Sequence, residues 1–158
     1  GPEGESWAPV HGHVSLSNAP AMFADIQALF AEMAGEFATH GVTTGYLFTS
    51  LETNAITIEP VFFWPHGYRP LHEALMEPAH LRNLPKLDPN PAATAVVAKA
   101  RDAVKAICAR YGAAHFQIGR AYPYRESRDA ASKALLDTIK ALVDPDRQLN
   151  PGALGFPR

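Results

Sequence analysis

A chain of 158 residues, 47% hydrophobic and 19% charged, has the length and composition of one domain with a real core. Its net charge of -2 and its 14 scattered Lys and Arg argue against nucleic acid as a partner, since neutralising phosphates takes clustered cations. The lone Cys108 permits no internal disulfide and fits a reducing cytoplasm; no apolar run approaches the roughly 18 residues of a membrane span, and no basic-then-apolar start suggests export.

In chain order, residues 1–6 read as a polar linker from a preceding domain, with Gly1 and Pro2 as an expression remnant, and the domain proper runs over 7–158. Trp7 to Ser17 reads as a strand in which His11, His13 and Ser15 alternate with Val10, Val14 and Leu16. Asn18 and Pro20 start a helix whose stripe of Phe23, Ile26, Leu29, Phe30, Met33 and Phe37 is predicted to be buried, and Gly41 ends it. Val42 to Leu51 and Ala55 to Trp64 are rich in β-branched and aromatic residues and flank Glu52-Thr53-Asn54, so they should pair as a hairpin. From Pro65 to Pro91 six prolines mark a long irregular connection, with a short helix around Leu71 to Met76; connections of this length are often functional. Asn90-Pro91 starts a second long helix, with Val97, Ala100, Val104, Ile107, Cys108 and Tyr111 inward and Gly112 beyond its end. Ala114 to Gly119 reads as the last strand, Ser127 as the cap of a closing helix with Ala131, Leu135, Ile139 and Leu142 on its apolar face, and Asp144-Pro145 as its stop. In Leu149-Asn150-Pro151-Gly152 the Pro-Gly pair suits the centre of a type II turn.

The order strand, helix, strand, strand, helix, strand, closing helix is that of an α+β, ferredoxin-like antiparallel sheet with both main helices on one face, followed by a C-terminal helix and tail. Strand segments such as Gly45-Tyr46-Leu47-Phe48 and Pro60-Val61-Phe62-Phe63-Trp64 are apolar on both sides, so the other face should be covered by another domain or a second copy.

The stretch FQIGR, YPY, helix, VDPDRQLNPGALG between Phe116 and Gly155 resembles the C-terminal end of FAD-linked oxidases of the vanillyl-alcohol oxidase and D-lactate dehydrogenase superfamily. The likeness is most specific over Val143 to Gly155. It implies a substrate or cap domain seated over a flavin, oxidising a hydroxy acid or aromatic alcohol by hydride transfer to FAD, with Asn150, Pro151 and Gly152 approaching the flavin ring edge. No GxGxxG or GxxxxGK sequence occurs, so the resemblance further implies that an FAD-binding domain precedes this segment, that it is a C-terminal part, and that alone it is inactive and holds little or no FAD.

A flavin dehydrogenase needs a base near the substrate hydroxyl and a cation for an anionic group. His115, Arg120 and Tyr122 are the candidate catalytic residues, with Gln117 and Arg120 as substrate contacts; on a strand His115, Gln117 and Gly119 share one side, with Phe116 and Ile118 on the other. The plain alternative has His115 and Gln117 lining the sheet, Arg120 paired with an acid such as Glu126 or Asp129, and Tyr122 capping the core. His11 and His13 put two imidazoles on one strand face, but no third ligand follows by spacing, and Gly45 to Ser50 lacks the histidines of the HxGDGNxH-like segment of metal-using relatives; no metal site is expected. No residue matches a covalent flavin attachment either. A second reading is a non-catalytic ferredoxin-like module that forms a homodimer or binds a small ligand through its open sheet face.

Overall fold

The hairpin formed by β3 (Thr43–Leu51) and β4 (Ala55–Trp64) is the centre of the computed structural model, which describes residues 3–117 and 119–157. Gly1, Pro2 and Ile118, all given roles above, lie outside the described residues. Along β4 the period of two is plain: Ile58, Phe62 and Trp64 point into the core, while Glu59, Val61 and Phe63 are half-buried on the other face.

On the opposite edge of β4 lie two short strands, β1 (Ser6–Pro9) and β2 (Gly12–Ser15), in one continuous antiparallel register from Ser6 opposite Trp64 to Ser15 opposite Ala55. The single predicted strand is thus interrupted at Val10 and His11. Pro60 explains the gap: its carbonyl accepts the Val10 N–H at 2.9 Å, but proline has no N–H to return to Val10. The register runs unshifted through the break, so Val10, Gly12 and Val14 face the helices and Trp7, Pro9, His11 and His13 the other side.

Two helices, α1 (Ala19–Glu32) and α2 (Ala34–His40), occupy the span predicted as one. They join at Met33, across which the Met33-to-Leu29 and Phe37-to-Met33 hydrogen bonds persist, and Gly41 ends α2 at φ 67°, where a side chain would be strained. After two short helices, α3 (Pro70–Leu75) and α4 (Pro78–Asn83), the long α5 (Pro91–Arg110) begins at Asn90, whose side chain accepts the Ala93 N–H. The α1–α2 pair and α5 pack together on one face of the sheet around Met22, Ile26, Phe30, Phe62, Val97 and Val104. The architecture is α+β and ferredoxin-like, with a C-terminal helix and tail.

Two expectations need correction. The strand at Ala114 to Gly119 shrinks to one bridge, in which His13 and Ala114 exchange N–H and carbonyl bonds of 2.8 and 2.9 Å. Beyond it the Phe116 and Gln117 N–H groups point at the His11 ring rather than at a neighbouring strand. The closing helix α6 (Ala130–Val143) is capped by Asp129, not Ser127: one Asp129 oxygen accepts the Ala131 and Ser132 N–H groups, while the Ser127 hydroxyl donates to the Tyr124 carbonyl. Its apolar stripe stays in water, with Leu135 61% and Leu142 80% exposed.

Polar bonds hold α6 instead. Arg125 grips Asp137 through two contacts of 2.7 Å, and the Lys140 ammonium donates to the Leu149 carbonyl. Asp144 ends the helix as expected and is buried in the loop that follows, where it accepts the Gln148 and Leu149 N–H groups and pairs with Lys140. Pro151 and Gly152 form the centre of the type II turn: Gly152 has φ 77° and ψ 0°, and the Ala153 N–H closes on the Asn150 carbonyl. Among the described residues no helix is long and apolar enough to cross a membrane.

Candidate functional site

On the face that the helices leave open, His11 sits fully buried beneath residues of the 115–122 segment. Pairing of its strand edge stops at His13, so the His11 carbonyl is free to accept the Nδ1–H of His115 at 2.6 Å. A carbonyl can only accept; the His115 proton is therefore on Nδ1 and its Nε2 is the basic nitrogen. The His11 ring is fixed the other way round. Its Nε2 accepts the Phe116 N–H at 3.0 Å and the Gln117 N–H at 3.4 Å, which places the proton on Nδ1, and that atom is buried with no partner among the described residues.

Aromatic rings close the cluster. Phe116 lies over both His11 and His13, at 4.0 and 4.9 Å between ring centres, and Tyr122 approaches His11 at 4.6 Å and His115 at 4.7 Å. His13 stands beside His11, 5.8 Å away, with its Nδ1 bonded to the Thr57 hydroxyl. Arg101, brought in from α5, stands against the Tyr122 hydroxyl; neither its Nε nor that hydroxyl makes a hydrogen bond of standard geometry among the described residues, though the Arg101 side chain and the His11 backbone both act on the phenol. That leaves the His11 Nδ1 as the polar atom without such a neighbour, an arrangement that calls for a physical reason, since buried polar groups are nearly always paired.

The electrostatics follow from burial. Desolvation lowers the His11 pKa from 6.5 to about 4, helped by His115 and His13, so the ring is neutral at pH 7. His115 is lowered for the same first reason, with its bond to the His11 carbonyl opposing and the charges of His13, Lys105 and Arg128 adding to the fall. Burial also lowers His13, against the pull of Glu59. The Tyr122 phenol is raised by burial and by Glu59, while the His11 backbone and Arg101 work the other way. At neutral pH the cluster therefore offers a basic imidazole nitrogen, a protonated phenol and a guanidinium, and among the described residues no group of three or more His, Cys, Asp or Glu could hold a metal ion.

Of the residues singled out in the sequence, His115 and Tyr122 come together here. Gln117 is exposed and contributes its backbone N–H to His11. Arg120 is exposed; it lines one shallow groove with Tyr122, Lys105 and Glu126 and another with Asn150 and Leu154. Asn150, Pro151 and Gly152 line a cleft between α6 and the tail, beside Arg125, Lys140 and Arg147. The chain matches no family model, no curated protein and no solved structure.

Sequence reading missed Arg101 and left His11 out of the site, weighing it with His13 only as a metal pair that lacks a third ligand. Arg101 had a signal: it falls between Val97 and Val104 at the spacing of the buried stripe of α5, where an apolar residue is expected.

Proposed function

We propose that this chain is the C-terminal, substrate-binding part of an FAD-dependent oxidoreductase that oxidises a hydroxy acid or an aromatic alcohol. The observation that carries the reading is the meeting of His115, Tyr122 and Arg101 beside His11, with the His115 Nδ1–H fixed on the His11 carbonyl and its Nε2 left as the basic nitrogen. In this scheme the His115 Nε2 takes the hydroxyl proton, the Tyr122 phenol donates to the substrate oxygen, and the carbon-bound hydrogen leaves as hydride. Bound FAD would supply the hydride acceptor. The exposed Asn150-Pro151-Gly152 turn fits an approach to the edge of a flavin ring through its backbone, whereas no glycine-rich phosphate loop is present to hold the pyrophosphate. Two cations are at hand for an anionic substrate group: Arg101, near the Tyr122 hydroxyl, and Arg120, in the groove that Tyr122 lines.

The test is to express this segment together with the coding sequence that precedes it and follow flavin bleaching by hydroxy acids and benzylic alcohols. His115→Gln should lower kcat by about a hundredfold or more while flavin content holds, the usual scale for loss of a general base. A flavin-free product, or unchanged turnover, would overturn the assignment.

A non-catalytic module that dimerises through its open sheet face is the second reading, favoured by the exposure of Trp7, Leu47 and Phe116. Sedimentation of the isolated chain separates the two: a tight dimer that buries these residues supports the module.

A further inference from the structure

The connection from Pro65 to Asn90 takes no part in the reading above, yet its two ends are stitched together. The Asn90 N–H donates to the His66 Nδ1 at 2.8 Å, the Gly67 N–H to the Asp88 carbonyl at 3.0 Å, and the Tyr68 hydroxyl to the Pro85 carbonyl at 2.8 Å. Glycine is required where the strands of the loop meet, because a Cβ on Gly67 would lie 2.8 Å from the Leu87 carbonyl oxygen. The N-terminal arm closes on the same structure: a Cβ on Gly4 would lie 2.1 Å from the Tyr68 hydroxyl. These bonds and close packings fix a groove of about 500 Å³ between the arm, the end of β4 and the connection, a volume suited to a small ligand.

Its lining carries three aromatic rings, three histidines and one guanidinium. Trp7, Trp64 and Tyr68 line it, and the Trp64 Nε1–H is already spent on the Thr94 hydroxyl, leaving that ring as an apolar surface. His66 and His72 each accept a backbone N–H at Nδ1, from Asn90 and from Arg69, so both neutral rings carry their proton on Nε2. Arg69 is exposed and forms no ion pair among the described residues. The one carboxylate in the lining, Glu5, accepts the Glu3 N–H.

We propose that this groove binds a small aromatic carboxylate, its ring in the part of the lining formed by Trp64 and Tyr68 and its carboxylate on the Arg69 fork, with the histidines of the lining close by. The site shares no residue with the His115 cluster and stands whether or not that cluster is catalytic. Trp7 and Trp64 are the only two tryptophans of the chain, so intrinsic fluorescence reports on this groove. Titration of the purified chain with benzoate should give saturable quenching, with benzamide and cyclohexanecarboxylate each at least about tenfold weaker, the first lacking the charge and the second the π-face. Arg69→Ala should weaken benzoate by at least about tenfold with circular dichroism unchanged. No saturable change with benzoate, equal affinity for benzoate and benzamide, or an Arg69→Ala titration that superimposes on wild type would each overturn the proposal.

Discussion

Acidification should destabilise this domain well before its carboxylates titrate, and His11 sets the size of the effect. In the unfolded chain its pKa is about 6.5; in the fold, with the ring wholly buried and its Nε2 committed to two backbone N–H groups, the value drops to about 4. Above pH 6.5 neither state binds the proton and His11 adds nothing to the slope. Between 6.5 and 4 the unfolded state binds it and the folded state does not, so stability is present at neutral pH and is lost as pH falls. Linkage over that window gives a loss of roughly 2 kcal/mol by pH 5 and roughly 3 by pH 4. His115 and His13 shift the same way and add to the trend, so the contribution of His11 is isolated by difference. The variant is His11→Gln, whose amide oxygen reaches the position of Nε2 and keeps an acceptor for Phe116 and Gln117 without a titrating group. Urea unfolding at pH 7, 6 and 5 should find the variant less stable at pH 7 and the gap to wild type closing by about 2 kcal/mol at pH 5. Parallel curves for the two proteins would refute the buried, neutral assignment of His11.

Phe30 is buried and touches the rings of Phe37, Tyr46 and Phe62, so Phe30→Ala should cost about 3 to 5 kcal/mol in denaturant unfolding. Asp144→Asn removes the charge that Lys140 and two backbone N–H groups stabilise, a carboxyl held below the usual range chiefly by Lys140; amide exchange at Gln148 and Leu149 should quicken, with the melting temperature of the core little changed. Purified alone, the chain should be colourless, and a stoichiometric flavin spectrum would refute the division of labour proposed for FAD. In the flavin-loaded protein, Arg120→Lys should raise KM for an acid substrate by at least about tenfold if Arg120 holds the anion; unchanged kinetics there, with a rise in Arg101→Lys, would assign that role to Arg101.

Periodicity made the sheet and the packed helices legible. The β3–β4 hairpin matches its expected strands to within a residue, and both helices on the core carry their apolar residues at helical spacing against a partner that exists. What stayed hidden depends on side chains acting in place of backbone. No pattern in the sequence says that Pro60 will leave Val10 without a return bond, or that the His11 ring will take N–H groups that a strand from Ala114 onward would have given to its neighbour. The site was half legible for the same reason: His115 and Tyr122 lie close in sequence, whereas His11 and Arg101 join them only through the register of β1, β2 and α5.

The C-terminal segment shows what a local reading leaves open. α6 is amphipathic, starts at a capping residue and stops before proline, as its sequence dictates, but amphipathicity states only that an apolar stripe exists and not that anything meets it. Leu135, Ile139 and Leu142 remain exposed, so the hydrophobic term that stabilises α1 and α5 is absent here. A helix of 14 residues is marginal alone, and its order must then rest on the Asp129 cap, the Arg125–Asp137 fork and the Asp144 loop. Each is local, and none of the hydrogen bonds involved reaches a core side chain. α6 and its turn at Asn150-Pro151-Gly152 should therefore open independently of the sheet, in a separate and weaker step, and amide exchange over α6 should be faster than over α5; equal protection of the two helices would refute this.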